Sequence, residues 1–158
     1  MKFRNTNMKK SYSLIWCIAL LFTLINAGCK EKVKPASERI AKAWTAESVK
    51  HGSAVVYARG GSNNTTPGYS GFRLSLTNAS GAMTASLTDF EGSTFNGTWA
   101  LEGETKLILK DLVPQPTGTG GVIEFTINSL EEGKLVLTRL KGSSKTGGTI
   151  NEYTLTNP

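Results

Sequence analysis

Between Phe72 and Thr156 apolar residues recur at every second position in short runs, and nearly every run stops at a turn-forming cluster. Phe72, Leu74 and Leu76 point one way, against Arg73, Ser75 and Thr77. Met83, Ala85 and Leu87 then oppose Thr84, Ser86 and Thr88. The same alternation puts Phe95, Gly97, Trp99 and Leu101 on one face. It continues through Leu107 with Leu109, Ile123 with Phe125 and Ile127, Leu135 with Leu137 before Arg139, and Tyr153 with Leu155. A period of two belongs to a strand; a helix would scatter these side chains around its axis. One apolar and one polar face is the pattern of antiparallel strands with one side wet. The breaks at Asn78–Gly81, Asp89–Ser93, Glu102–Glu104 and Glu131–Gly133 are hairpin length, so successive strands are expected to be neighbours.

Upstream the pattern is rougher. Trp44 to Val49 alternates imperfectly, and His51-Gly52 makes a turn. Ala54 to Arg59 reads as a strand with Val55 and Tyr57 on one face. Gly60 to Gly68 (G-G-S-N-N-T-T-P-G) is a loop, as are Val113 to Gly121 and Lys141 to Gly148. Ser37 is placed to cap a short helix over Ser37–Ala43, with Glu38 in its first turn. The expected fold is all-β: an antiparallel up-and-down meander barrel of about nine strands with one short N-terminal helix, or alternatively a two-sheet β-sandwich.

The N-terminus carries a different signal. Lys2, Arg4, Lys9 and Lys10 precede an uncharged apolar stretch from Leu14 to Ile25, which ends in Asn26-Ala27-Gly28-Cys29. Twelve apolar-rich residues are too few for a membrane span, which needs about 20. A basic start, an apolar core and small residues before a cut site read as an export signal. Ala27-Gly28-Cys29 resembles the lipobox of bacterial lipoproteins. The resemblance implies a signal peptide over residues 1–28, lipidation at Cys29, and a membrane-lipid partner through that cysteine. It further implies a polar tether over 29–37 and a single domain over 38–158, lipid-anchored in the cell envelope on a periplasmic or surface face. Cys17 lies in the apolar run, so such a domain has no thiol for a disulfide or a metal and is held by packing alone.

The charge of +6 is concentrated in the leader and tether. From Ala41 onward ten basic residues face ten acidic ones, which leaves no electrostatic footprint for nucleic acid. No catalytic set emerges. His51 is the single histidine, expected as an exposed turn residue. Asp89, Glu91, Glu102, Glu104 and Asp111 fall in or beside turns, where acids are solvated. Gly118 to Gly121 lacks the Lys-Ser/Thr of a phosphate loop, and no serine sits in a nucleophile elbow. The chain is not expected to be an enzyme or to carry a metal or cofactor.

A helix, then Trp44, then a run of meander strands resembles the lipocalin and fatty-acid-binding group. More narrowly it resembles the small lipocalin-like lipoproteins of Bacteroidota. Lys42-Ala43-Trp44 stands where that group has Gly-x-Trp, and Gly97-Thr98-Trp99 with Leu101 looks like its mid-barrel strand. The resemblance covers residues 40 to 156, short for a full lipocalin, and so implies a small or filled cavity. It also implies a structural plug in which Trp44 closes one barrel end against Arg139. Tyr57, Tyr69, Phe72, Met83, Trp99 and Phe125 are the candidates to line a ligand site, with Tyr69, at a loop exit, expected to be the most exposed. Two functions are then open: a binding module for a small apolar or amphipathic ligand, or a solid barrel displaying loops to an envelope protein. Glycan binding through stacked aromatics is a further alternative.

Overall fold

The computed structural model describes residues 33–158; the leader and the lipidation site at Cys29 lie outside them. The alternating runs become nine antiparallel strands. They are β1 (Ala43–His51), β2 (Ala54–Ala58), β3 (Arg73–Ala79), β4 (Ala82–Thr88), β5 (Thr94–Glu102), β6 (Lys106–Val113), β7 (Ile123–Leu130), β8 (Lys134–Arg139) and β9 (Asn151–Thr156). From β3 onward each strand pairs with the next, and β9 returns to β1 along Thr45–His51. β3 reaches β1 through Ala43–Thr45 alone. Eight strands, β1 and β3 to β9, therefore close a barrel, and the sandwich alternative falls. β2 stands outside the ring, hairpinned onto the half of β1 that β3 leaves free.

Closure removes sheet edges, and the one that β2 reintroduces is covered by its own loop. Asn64 acts as a stand-in strand: its Oδ1 accepts from the Ala58 amide at 2.8 Å and its Nδ2 donates to the Ala58 carbonyl at 3.0 Å. The Thr66 amide donates to the Val56 carbonyl at 3.0 Å.

Bulges account for two of the places where the alternation is broken. In β1 the register slips between Ala46 and Ser48, so Trp44 and Ala46 face inward before the slip and Val49 after it. In β6, Asp111 takes a left-handed φ of 54°, opposite a slip between Asn96 and Thr98 in β5. This turns Leu112 inward after Leu107 and Leu109 and carries the strand to Val113, the loop start expected from sequence. Gly97 lies at the slip because a Cβ there would overlap the Lys110 carbonyl oxygen. In β2 the buried pair is Val56 and Tyr57 rather than Val55 and Tyr57, and Val55 is exposed.

The helix is shorter than expected. α1 spans Ala36–Arg39, a single turn, and Ser37 lies within it instead of capping it. The chain then bends at Ile40 and enters β1. That end of the barrel, the base, holds the starts of β1 and β8 and the end of β9. Trp44 is fully buried there and its Nε1 donates to the Ile40 carbonyl at 2.8 Å. The Lys42 ammonium lies 5.9 Å from the Trp44 ring centroid and also donates to the Glu132 carbonyl. Arg39 Nη1 donates to the Leu130 carbonyl at 3.2 Å, so α1 and its exit are tied to the β7–β8 turn.

Arg139 is not part of this plug. It is the last residue of β8, and β8 runs away from the base, so Arg139 stands at the opposite end beside Phe125. Strand direction decides this, and the cation over the Trp44 indole is Lys42.

Candidate functional site

At the mouth the ring is formed by the end of β1 at His51, the end of β8 at Arg139 and the start of β9 at Asn151. Inward alternation continues to the rim: Leu135, Leu137 and Arg139 share one face of β8, and Asn151, Tyr153 and Leu155 share one face of β9. The top layer inside the barrel is therefore polar where the layers below are apolar.

The segment before β3 completes it. Pro67–Gly71 forms a 3-10 turn that fills the gap where β1 passes from β2 to β3. Tyr69, expected to be exposed, is instead only 1% exposed and is the hub of an aromatic cluster. Its ring lies 4.9 Å from Phe90, 5.7 Å edge-on from His51, and 6.2 Å from both Tyr57 and Tyr153. Phe72 stacks on Tyr153 at 5.2 Å, and Phe125 meets Tyr153 edge-on at 6.1 Å. A loop-exit tyrosine is buried because the turn folds it back over the barrel, a contact with no sequence signature. Its burial also removes the best-placed platform for stacking a sugar.

The polar groups of this layer are linked. The Tyr69 hydroxyl is 2.8 Å from His51 Nε2, so His51 is half-buried against the cluster and not a free turn residue. Asn151, 1% exposed, donates through Nδ2 to the Tyr153 hydroxyl at 3.3 Å. Its Oδ1 accepts from Thr149 at 2.8 Å and Thr146 at 3.1 Å. Burial drives the Tyr69 phenol far above its ordinary range; the neighbouring Tyr153 and Asp89 push the same way, and Arg139 pulls back. Tyr153 is likewise raised by burial, against the opposing pull of Asn151 and Arg139. Both phenols are neutral at physiological pH and offer hydrogen bonds, not charge. His51 is lowered by burial.

Two loops cover the cup. Ser144 Oγ donates to the Thr117 carbonyl at 3.1 Å, joining the loop after β8 to the loop after β6. Lys145 reaches Asp89 and Glu91, each at 2.6 Å, and its ammonium lies 5.7 Å from the Phe95 centroid. Burial lowers the Lys145 pKa, but the two carboxylates outweigh it and the net shift is upward. The acids of the 89–93 turn, expected to be solvated, and the lysine of the 141–148 loop are thus a latch across the mouth.

Beneath the latch is a cavity of about 50 Å³, lined by Tyr69, Phe72, Phe95, Phe125, Arg139 and Tyr153 among others. A neighbouring one of about 80 Å³ shares Thr119, Ile123 and Arg139 with it. These volumes admit a few waters or one small group; a drug-sized ligand needs about 300 Å³ or more. Of the six residues expected to line a ligand site, Tyr69, Phe72 and Phe125 meet here and Tyr57 packs behind Tyr69. Met83 and Trp99 do not line the cup: Met83 is half-buried on β4, and Trp99 donates to the Thr77 carbonyl at 2.8 Å. Sequence reasoning missed Arg139 and Asn151 as cup residues, although each continues an inward alternation that was already visible.

Among the described residues no group of three or more His, Cys, Asp or Glu side chains could hold a metal, and no helix is long and apolar enough to cross a membrane. The barrel is similar to the crystal structure of a lipocalin-like protein from Bacteroides uniformis, with 15% identity and a TM-score of 0.45 over 76% of this chain and 99% of that one. No family model matches the sequence, and no curated protein does.

Proposed function

We propose that this chain is a non-catalytic binding module of the cell envelope, anchored through a lipid on Cys29, that takes the end of a small apolar or amphipathic molecule in the cup at its mouth. The observation that carries the reading is the aromatic cup itself, a small enclosed space with polar groups converging on it in an otherwise packed barrel. The space is far smaller than the usual small-ligand pocket, so the reading rests on polar groups converging on an aromatic wall and not on volume. The chain enters the barrel at the base, through Pro35 and α1. The volume restricts the occupant to a small molecule or to one end of a longer one.

The test is to purify the domain without its leader, extract it and analyse the extract by mass spectrometry. A co-purifying small molecule, lost when Phe72 and Phe125 are replaced by smaller residues, supports the reading. An empty extract, with a melting temperature unmoved by a panel of short amphiphiles, overturns it.

A second reading, a solid barrel that presents its loops to another envelope protein, has its own support. The interior below the cup is filled, and Val55, Val113, Val122, Leu140 and Ile150 are exposed at or near the mouth end.

A further inference from the structure

We propose that the mouth is a carboxylate site whose recognition group is Arg139, and that the occupant is a carboxylate bearing a short apolar substituent. This rests on the reading of the cup as a binding site and names the chemistry that the cup would select.

Arg139 points inward, on the same face as Leu135 and Leu137 and cross-strand from Phe125. Its guanidinium is charged at any pH the protein meets. No acid of the described residues lies within ion-pair distance of it, whereas Lys145, which lines the same cup, is held by two. Arg139 Nε is buried without a hydrogen-bond partner. An unpartnered buried donor on a permanent cation costs stability. Arg39 Nε and Thr156 Oγ1 share the lack of a partner. Arg39, however, is tied down through Nη1 to the Leu130 carbonyl, and neither residue lines the mouth cavities.

The surroundings of Arg139 fit a carboxylate. The guanidinium fork matches two carboxylate oxygens. The neutral Tyr153 hydroxyl, which accepts from Asn151 and lies next to Arg139, keeps its own proton to donate in the same cup, whereas the Tyr69 hydroxyl is paired with His51. Phe72, Phe95, Ile123 and Phe125 supply an apolar wall for a short substituent. Of the carboxylates lining the two mouth cavities, Asp89 is neutralised by Lys145 at 2.6 Å and Glu124 by Lys106 at 2.7 Å. A long acyl chain does not fit inside, because the core below the cup is packed and the cavities are about 50 and 80 Å³. The same chemistry is offered by a free short-chain acid and by the carboxyl end of a peptide.

The experiment uses the leaderless domain uniformly labelled with nitrogen-15, following the Arg139 Nε–H resonance, which is assigned by its loss in Arg139→Met, and the backbone amides of Phe125 and Tyr153, which report binding in both proteins. Sodium butyrate, n-butanol and sodium chloride at matched ionic strength are added in turn. A blocked dipeptide with a free C-terminal carboxylate is added next, and then its amide. A saturable downfield shift with butyrate, absent with n-butanol and sodium chloride, together with butyrate binding about tenfold to a hundredfold weaker in Arg139→Met, supports the site. A peptide acid that binds at least as tightly as butyrate, with its amide inert, identifies a chain end as the source. A peptide acid that fails while butyrate binds identifies a free acid. Equal binding of butyrate and n-butanol, or undiminished butyrate binding in Arg139→Met, overturns the carboxylate assignment and leaves the cup as an apolar site. No response to any probe overturns both.

Discussion

The two ends of the barrel solve the same problem in opposite ways. Both must keep water from the core, and both use a large aromatic residue with a short helical turn. At the base Trp44 is fully buried, its single polar atom is satisfied by Ile40, and the cations around it bond to carbonyls of the β7–β8 turn. At the mouth Tyr69 is as deeply buried, but it belongs to a polar layer with a cavity, a latch and an arginine whose Nε has no partner. The base also holds unpartnered polar atoms, Arg39 Nε and Thr156 Oγ1, but there the aromatic residue is packed without a cavity around it. At the mouth the unpartnered Arg139 Nε adjoins an aromatic-lined cavity, and that combination is what distinguishes the two ends.

The sharpest way to break this contrast is Trp44→Ala. Removing a fully buried indole at the base should cost about 3–5 kcal/mol, a large share of the roughly 5–15 kcal/mol typical of a domain. Chemical denaturation measures it, and a loss below about 1 kcal/mol would show that the base is not the stabilising end.

Asn151→Ala tests whether the mouth network is structural. It strips a partner from Tyr153, Thr146 and Thr149 at once, and a lost buried partner costs about 1–3 kcal/mol. The same denaturation series should place it below Trp44→Ala.

Arg139→Met should then lower stability by no more than about 1 kcal/mol, or raise it, since an unpartnered donor disappears and its apolar stem is replaced. A loss comparable to that of Trp44→Ala would mean that Arg139 is a structural pillar, and the contrast between the ends would collapse.

The smallest effect concerns acid. The pKa of His51 is lowered from 6.5 by burial, so the folded protein binds its proton less readily than the unfolded chain does. The stability it contributes is complete above pH 6.5 and falls away as pH drops through the lowered value. Proton NMR of the His51 ring should titrate below 6.5, and His51→Asn should flatten the decline in stability on the acid side. A midpoint at or above 6.5 would place His51 in solvent, as a plain turn residue.

Much of this molecule was legible beforehand, for a physical reason. Side-chain alternation is local, so the inward rows of β3 to β9 come from spacing alone, as do the hairpins between them. The lapses have a common cause. A bulge inserts one residue and flips the face of every later residue in its strand. Neither the slip at Ala46–Ser48 nor the one opposite Asp111 leaves a mark stronger than rough alternation. Tyr69 is buried by a turn folding across a gap that exists only because β1 divides one edge between two partners.

The sequence by itself determined an antiparallel meander of about nine strands, the inward rows of β3 to β9 up to each bulge, and that the domain must stand on packing without a disulfide. It also carried the aromatic residues that meet at the mouth. The tertiary structure decided everything that depends on direction and closure: that eight strands make the ring and β2 lies outside it, that Trp44 and Arg139 occupy opposite ends, and that Lys145 latches Asp89 and Glu91 across the cup. Local spacing fixes the face of a side chain, but which end it reaches, and which distant residues it meets there, is fixed by the path of the whole chain.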